Sequence, residues 1–215
     1  MCLKGIIMQI VKEGYPFILI SLILGILLIV SGFGKFSSVA GVLCIAASLF
    51  CLYFFRDPKI KITQGENLIL SPCNGTVLEV SENETEKVVR VFLSVLDVHL
   101  QRSPIAGKVV SVEHKPGKFL KAMDPEAHIV NEQNIISIEN ENGKYLVKQI
   151  AGVLARRCMS WVKPGDVLKT GDKIGVIKFS SQVDLHMPKN VEVKVKQGYK
   201  VVSGVTVFAN INKGS

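Results

Sequence analysis

Ile174-Gly175-Val176-Ile177-Lys178-Phe179-Ser180-Ser181-Gln182-Val183-Asp184-Leu185-His186-Met187-Pro188 is the stretch from which the rest of the chain can be read. An apolar run ends at Ile177, and an alternating run with Val183, Leu185 and Met187 on one face begins after the serines. Both have strand character, so the Ser180-Ser181 step falls at a break between strands, where the backbone can bend. A serine hydroxyl at such a bend can attack its own chain. In an arbitrary sequence the same pair is only a polar strand connection.

Upstream of this stretch, the segments from residue 58 onward continue the strand pattern. Leu68-Ile69-Leu70, Gly75 to Val80, Lys87 to Val95, Lys108 to Val112, Asn134 to Ile138 and Lys144 to Ile150 are short and mostly rich in β-branched residues, with turn residues between many of them. Asn142-Gly143 predicts a type I′ hairpin turn, whose two central residues both need positive φ. A repeat follows: Val162-Lys163-Pro164-Gly165 with Gly171, and Val195-Lys196-Gln197-Gly198 with Gly204, share one frame. Glycines at matched offsets predict the positive-φ corners of two similar hairpins. The expected fold is a mainly β domain with features of a biotinyl/lipoyl-like sandwich. The lysine flanked by methionines that carriers of that fold modify is missing, which argues against a carrier role.

The first 57 residues read differently. Tyr15 to Phe33 and Val39 to Phe55 carry no charge, and each is long enough to cross a bilayer core as a helix, which takes about 17 to 25 residues. With Gly34 to Ser38 as the turn they predict a transmembrane helical hairpin, residues 1–57, ahead of a domain at 58–215; Pro58 disfavours helix in the residue before it. A signal peptide is expected to have a shorter apolar region and no second span. Lys4 and Lys12 precede the first span and Arg56, Lys59 and Lys61 follow the second, with Lys35 alone in the turn. This asymmetry places both ends, and so the β domain, on the cytoplasmic side of the cell membrane.

Lys4, Lys12, Lys35 and Glu13 are the only charges among the first 55 residues, leaving 23 of the 26 basic and 17 of the 18 acidic residues in the remainder. A net +6 beside a membrane suits an anionic lipid surface. No run of Lys/Arg interleaved with aromatics points to nucleic acid. The five cysteines, Cys2, Cys44, Cys51, Cys73 and Cys158, form no Cys-x-x-Cys pair, which argues against a disulfide framework and a zinc site. His99, His114, His128 and His186 are too scattered for a metal site.

The stretch Lys178 to Pro188 resembles the processing site of the short-form phosphatidylserine decarboxylases, basic-Phe-Gly-Ser-Arg/Gln-Val-Asp-Leu followed by Pro, with Ser180 standing where the family has Gly. Five further blocks resemble the family in order: Ser71-Pro72-Cys73-Asn74-Gly75; Leu93 to Pro104, containing Asp97-Val98-His99; His114 to Phe119; Asn131 to Asn134; and Gln149-Ile150-Ala151-Gly152 through Ala155-Arg156-Arg157. Asn74 occupies the position of a family aspartate.

The resemblance implies a pyruvoyl-dependent decarboxylase made as a proenzyme. Ser181 attacks the carbonyl of residue 180, the resulting ester eliminates to dehydroalanine, and hydrolysis leaves a pyruvoyl group, the covalent cofactor, on residue 181. The chain is thereby cut into 1–180 and 181–215, a heterodimer of its own products that can assemble further. The ketone forms a Schiff base with the serine amine of a phospholipid and draws off the electrons released with CO2, giving phosphatidylethanolamine from phosphatidylserine. His99 is the first candidate base by the same resemblance, and His186, five residues from Ser181, the second. Asn74 is expected to orient the imidazole, with Asp97 the alternative source of charge. Arg156 and Arg157 are candidates for the lipid phosphate or carboxylate, as guanidinium forks suit both. Two other readings remain at this stage: decarboxylation of another serine lipid, such as archaetidylserine, and a membrane-anchored adaptor that is not processed. The second lacks the long coiled-coil hairpin usual in adaptors built on that sandwich.

Overall fold

A computed structural model describes residues 9–121, 124, 126–152, 158–178 and 181–212. The chain divides into two compact units, Met1–Lys59 and Ile60–Ser215.

In the first unit, strand β1 (Gln9–Ile10) precedes helix α1 (Tyr15–Val30), helix α2 (Lys35–Phe54) and strand β2 (Arg56–Asp57). Lys12–Val30 and Lys35–Phe54 are long and apolar enough to cross a membrane, with mean hydropathies of 2.2 and 2.0. Their backbones meet at two glycines. A Cβ on Gly25 would lie 2.9 Å from the Gly41 carbonyl oxygen, and one on Gly41 would lie 2.7 Å from that of Gly25. Close backbone approach of this kind is how small residues pack helices without a hydrophobic drive. Ser48 Oγ adds a hydrogen bond to the Ile18 carbonyl at 2.9 Å, and β1 pairs antiparallel with β2, tying the two ends of the hairpin together. The turn lies earlier than the sequence suggests. Lys35 to Ser38 belong to α2, because Gly34 adopts φ 95° and its carbonyl accepts the Ser37 and Ser38 hydroxyls, so the helix starts there.

The second unit is mainly β. Its strands are β3 (Leu68–Leu70), β4 (Gly75–Glu82), β5 (Glu86–Leu93), β6 (Leu100–Arg102), β7 (Gly107–Lys115), β8 (Gln133–Asn140), β9 (Gly143–Ala151), β10 (Cys158–Ser160), β11 (Val167–Leu168), β12 (Lys173–Ile177), β13 (Ser181–Pro188), β14 (Val191–Val193), β15 (Lys200–Val201) and β16 (Val207–Ile211). One short helix, α3 (Ala127–Val130), sits between β7 and β8. Among the described residues an eight-stranded sheet runs β11-β7-β8-β9-β13-β5-β4-β15, and two three-stranded sheets run β10-β12-β6 and β14-β16-β3.

Counted inward from its two edges, β11-β7 and β15-β4, the large sheet is built alike. Ser71-Pro72 opens β4 and Ser103-Pro104 opens β7; the Ser71 hydroxyl bonds the Cys73 carbonyl at 2.6 Å and the Ser103 hydroxyl the Ile105 carbonyl at 2.7 Å. Arg102 N–H donates to Pro72 O and Leu70 N–H to Pro104 O, so the two openings are bonded to each other. The repeat glycines take their places in the same pattern: Gly165 N–H to Val109 O and Gly198 N–H to Val77 O, Gly171 N–H to Ser103 O and Gly204 N–H to Ser71 O. All four have positive φ, between 67° and 97°, as the matched spacing implies. The Ser-Pro half of the repeat escapes a reading of the sequence alone.

The hairpin between β8 and β9 departs by one residue from the type I′ expectation. Asn140 pairs with Gly143, so Glu141 and Asn142 form the turn and only Gly143, at φ 130°, is left-handed. The Asn140 side chain accepts the Asn142 N–H at 2.9 Å and supplies an Asx turn that needs no positive φ at its centre.

β13 lies in the middle of the large sheet, between β9 and β5. Val183, Leu185 and Met187 point into the core with Val89, Val91 and Val147. Burying side chains of this size contributes about 1.5–3 kcal/mol each. The other face of β13 presents Gln182, Asp184 and His186, and these too are buried.

Candidate active site

The chain changes sheets at the serines. β12 ends at Ile177 between β10 and β6, with Ile177 opposite Cys158 and its N–H donated to the His99 carbonyl at 3.2 Å. β13 begins at Ser181, flanked by Leu93 of β5 and Ala151 of β9. The chain thus leaves the three-stranded sheet after Ile177 and is in the large sheet at Ser181. Ser181 is fully buried, and its Oγ has no hydrogen-bond partner among the described residues. A buried hydroxyl left unbonded costs about 1–3 kcal/mol, so its position is imposed by the strands on either side.

His99 reaches this junction along the neighbouring strand. β5 stops at Leu93, opposite Ser181, and a turn follows in which Asp97 N–H donates to Ser94 O and Asp97 Oδ2 accepts the Ser94 N–H at 2.8 Å. The turn delivers His99 to the start of β6, 1% exposed. Its Nδ1 lies 3.0 Å from the Asp97 carbonyl oxygen. A carbonyl can only accept, so Nδ1 carries the proton and Nε2 is the basic nitrogen.

A web of buried amides braces the same region. Gln101 Nε2 donates to the His99 carbonyl at 2.7 Å, Gln149 Nε2 to Gln101 Oε1 at 2.8 Å, and Asn134 Nδ2 to the Cys158 carbonyl at 3.3 Å. These bonds join the three-stranded sheet, which holds His99 and the approach to Ser181, to the large sheet that holds Ser181. Gln101, Gln149 and Asn134 lie within motif blocks but have no role legible in the sequence; a buried amide in a strand pattern is their only signal.

The other expected residues are placed as follows. Asn74 Oδ1 accepts the Ser203 N–H at 3.1 Å, so the amide braces the turn after β15; the Asp97 main-chain carbonyl contacts the imidazole at Nδ1. The Asp97 carboxylate caps the Ser94 turn. His186 is five residues along β13, on the face opposite Ser181 and about 16 Å away at strand spacing. Its Nδ1 meets Glu86 at 2.9 Å, and burial, with Lys148 nearby, pushes its pKa down. Ser180, Arg156 and Arg157 lie outside the described residues. The described neighbours of the arginines are Gly152, after Ala151, and Cys158, and Ala151 and Cys158 pair with Ser181 and Ile177.

Asp184 is a buried carboxylate that sequence reading leaves without a role. Gln182 Nε2 donates to it at 2.6 Å, Arg90 Nε lies at 3.4 Å, and burial raises its pKa. Burial also pushes the Cys73 and Cys158 thiols up, so both stay protonated. No group of three or more metal-ligating side chains occurs among the described residues.

Comparison with known proteins bears on this constellation. Residues 47–209 match the sequence profile of phosphatidylserine decarboxylase. The chain belongs to the phosphatidylserine decarboxylase family. It is 39% identical over 214 residues to the phosphatidylserine decarboxylase proenzyme of Wolbachia pipientis, covering 94% of this chain and 91% of that protein. It is 43% identical over 179 residues to the proenzyme of Carboxydothermus hydrogenoformans, covering 80% and 84%. The proenzyme of Ehrlichia chaffeensis is 37% identical over 216 residues. As a decarboxylase of this family, the protein needs an electron sink, and a pyruvoyl group derived from Ser181 fits the residues present. A serine with an orphaned, buried hydroxyl begins the central strand, directly after the sheet change.

Proposed function

We propose that this protein decarboxylates phosphatidylserine to phosphatidylethanolamine after cutting itself between Ser180 and Ser181. One observation carries the reading: a buried, unbonded serine hydroxyl starts β13 where the chain leaves β12, and the carbonyl of the candidate base His99 is bonded to the last residue of β12. His99 Nε2 takes the proton from Ser181 Oγ as that oxygen attacks the carbonyl of residue 180. The proton relay is supported by the Asp97 carbonyl, which holds Nδ1–H. The peptide C–N bond between residues 180 and 181 then breaks, the proton passing to the freed amine and leaving an ester; loss of the Cα proton of residue 181 breaks the Cβ–Oγ bond and leaves that oxygen in the new carboxylate of residue 180, and water adds to the imine tautomer of the resulting dehydroalanine and releases ammonia to give the pyruvoyl group. That group supplies the sink for the electron pair left when CO2 departs. His99 is then placed to return a proton to the substrate carbon. Asn74 acts at one remove, by fixing the turn after β15, and Arg156 and Arg157 bind the phosphate or carboxylate of the head group.

The cut chain stays together because residues 181–215 contain β13 to β16, which pair with β5, β9, β4 and β3 of the larger fragment. The two apolar helices anchor the enzyme in the membrane with the β domain on the cytoplasmic side, where the substrate's head group is presented.

Intact-mass measurement tests the reading: two chains dividing after Ser180, the smaller blocked to N-terminal sequencing and reactive toward carbonyl reagents. Ser181→Ala stays one chain, and Ser180→Gly is cut at least as fast as the natural sequence. A natural protein that stays whole and unreactive while Ser180→Gly is cut would make the chain a non-catalytic member of its family.

A further inference from the structure

The strands of the large sheet place Ser181 at one end of that sheet. The C-termini of β5, β9 and β7 and the N-termini of β13 and β8 share this end. Large apolar side chains are exposed in the connections around it: Leu96 at 60%, three residues beyond the partner of Ser181; Phe119 at 39%; and Ile129, on α3, at 69%. Single exposed apolar side chains are ordinary on such a domain, and Val167 is one elsewhere on it; what sets these three apart is that they cluster at the sheet end that holds Ser181.

Phe119 and Ile129 are held firmly. Lys118 N–H donates to Val130 O at 2.7 Å and Glu132 N–H to Lys118 O at 3.0 Å, which ties the stretch after β7 to the one before β8. Asn131 pegs both to the sheet. Its amide accepts the Leu120 N–H, donates to the Leu120 carbonyl, and donates at 2.7 Å to the carbonyl of Ala151, the register partner of Ser181. Lys115, Lys118 and Lys121 are exposed along the same connection.

We propose that this rim, Leu96, Phe119 and Ile129 with the lysines beside them, is a membrane-contact surface of the β domain, additional to the helical hairpin, whose partner is an anionic phospholipid bilayer. The inference rests on the lipid-decarboxylase reading, since it explains how a head group whose acyl chains stay in the bilayer reaches a buried Ser181. The apolar side chains enter the interface and the lysines meet lipid phosphates and carboxylates at the surface.

The full-length protein in vesicles of phosphatidylcholine and phosphatidylserine carrying bromine on their acyl chains provides the test. Tryptophan at Phe119→Trp or Ile129→Trp is quenched, after subtraction of the Trp161 signal. Val167→Trp is not, because Val167 is 79% exposed but lies on β11, beside the opposite end of β7. The Phe119→Ser/Ile129→Ser double variant has a KM for vesicle phosphatidylserine raised about tenfold, with turnover of water-soluble glycerophosphoserine unchanged. Equal quenching at all three positions, dimerisation through the rim without quenching, or an equal loss on both substrates overturns the proposal. Quenching needs no catalysis, so an uncleaved, inactive protein that is still quenched at position 129 refutes the proposed function and leaves the surface standing.

Discussion

Before cleavage, the Ser181 hydroxyl should cost the fold stability, and the cost can be measured. Ser181 is 0% exposed, its strand is paired on both sides, and Oγ has no hydrogen-bond partner among the described residues. An unmade buried hydroxyl costs about 1–3 kcal/mol, while the packing lost with one oxygen is small. Replacing Ser181 by Ala in a chain that cannot cut itself should therefore stabilise it by about 1 kcal/mol. The comparison is His99→Ala against His99→Ala/Ser181→Ala, both verified as single chains by mass, so that the missing base is common to the two. For a domain of this size the gain corresponds to roughly 2–4 °C in Tm, readable by calorimetry in detergent. If the double variant melts lower by a similar margin, the hydroxyl is satisfied in the precursor and its orphaned state is no part of the chemistry. If it melts higher, self-cleavage relieves the cost, because elimination removes that oxygen from β13 and leaves it on residue 180.

Two further perturbations report on the scaffold. A Cβ on Gly175 would meet the Met159 carbonyl and lie 2.7 Å from Gln149 Nε2, so Gly175→Ala should force β10 from β12, cost about 2 kcal/mol and slow self-cleavage severalfold in a gel time course. His186 has its folded pKa pushed down from 6.5 by burial, so the unfolded chain takes up the proton first and stability is lost as pH falls below 6.5. The Tm of the natural protein should therefore drop more steeply over that window than the Tm of His186→Gln; parallel curves would show that the imidazole titrates alike in both states. Asp184, whose pKa is raised by burial, gives the opposite slope at lower pH and is coupled to His186, so the comparison is read near pH 6.5, above the carboxylate's ordinary range.

The strands were legible wherever one face is core, because alternation and β-branching report a half-buried pleat directly. β13 shows the limit of that signal. Val183, Leu185 and Met187 give the alternation, yet Gln182, Asp184 and His186 on the other face are buried as well. They pass for surface residues in the sequence because they are polar, and in the fold they find polar partners: Gln182 and Arg90 on Asp184, Glu86 on His186. The turn at Asn142 slipped by one residue for a related reason: an asparagine one place earlier offered its own side chain as the turn's acceptor, and the dipeptide pattern does not weigh that competition. The second internal repeat was hidden because its halves share Ser, Pro, Gly and Val but differ at Cys73-Asn74 and Ile105-Ala106, although Cys73 and Ile105 enter the same core.

The site itself was legible to the extent that side chains define it. Ser181 and His99 stand in motif blocks, and the Ile177 N–H bonds the His99 carbonyl just before the chain leaves β12 for β13. The group that orients His99 was not legible. Reasoning from motifs looks for a carboxylate or amide, so it turned to Asn74 and to the Asp97 side chain, but the acceptor on Nδ1 is the Asp97 main-chain carbonyl. Any residue at position 97 carries that oxygen; what makes it available is the Ser94–Asp97 turn, closed by the Asp97 carboxylate on the Ser94 N–H. Asp97 therefore acts on the imidazole through the backbone geometry it stabilises.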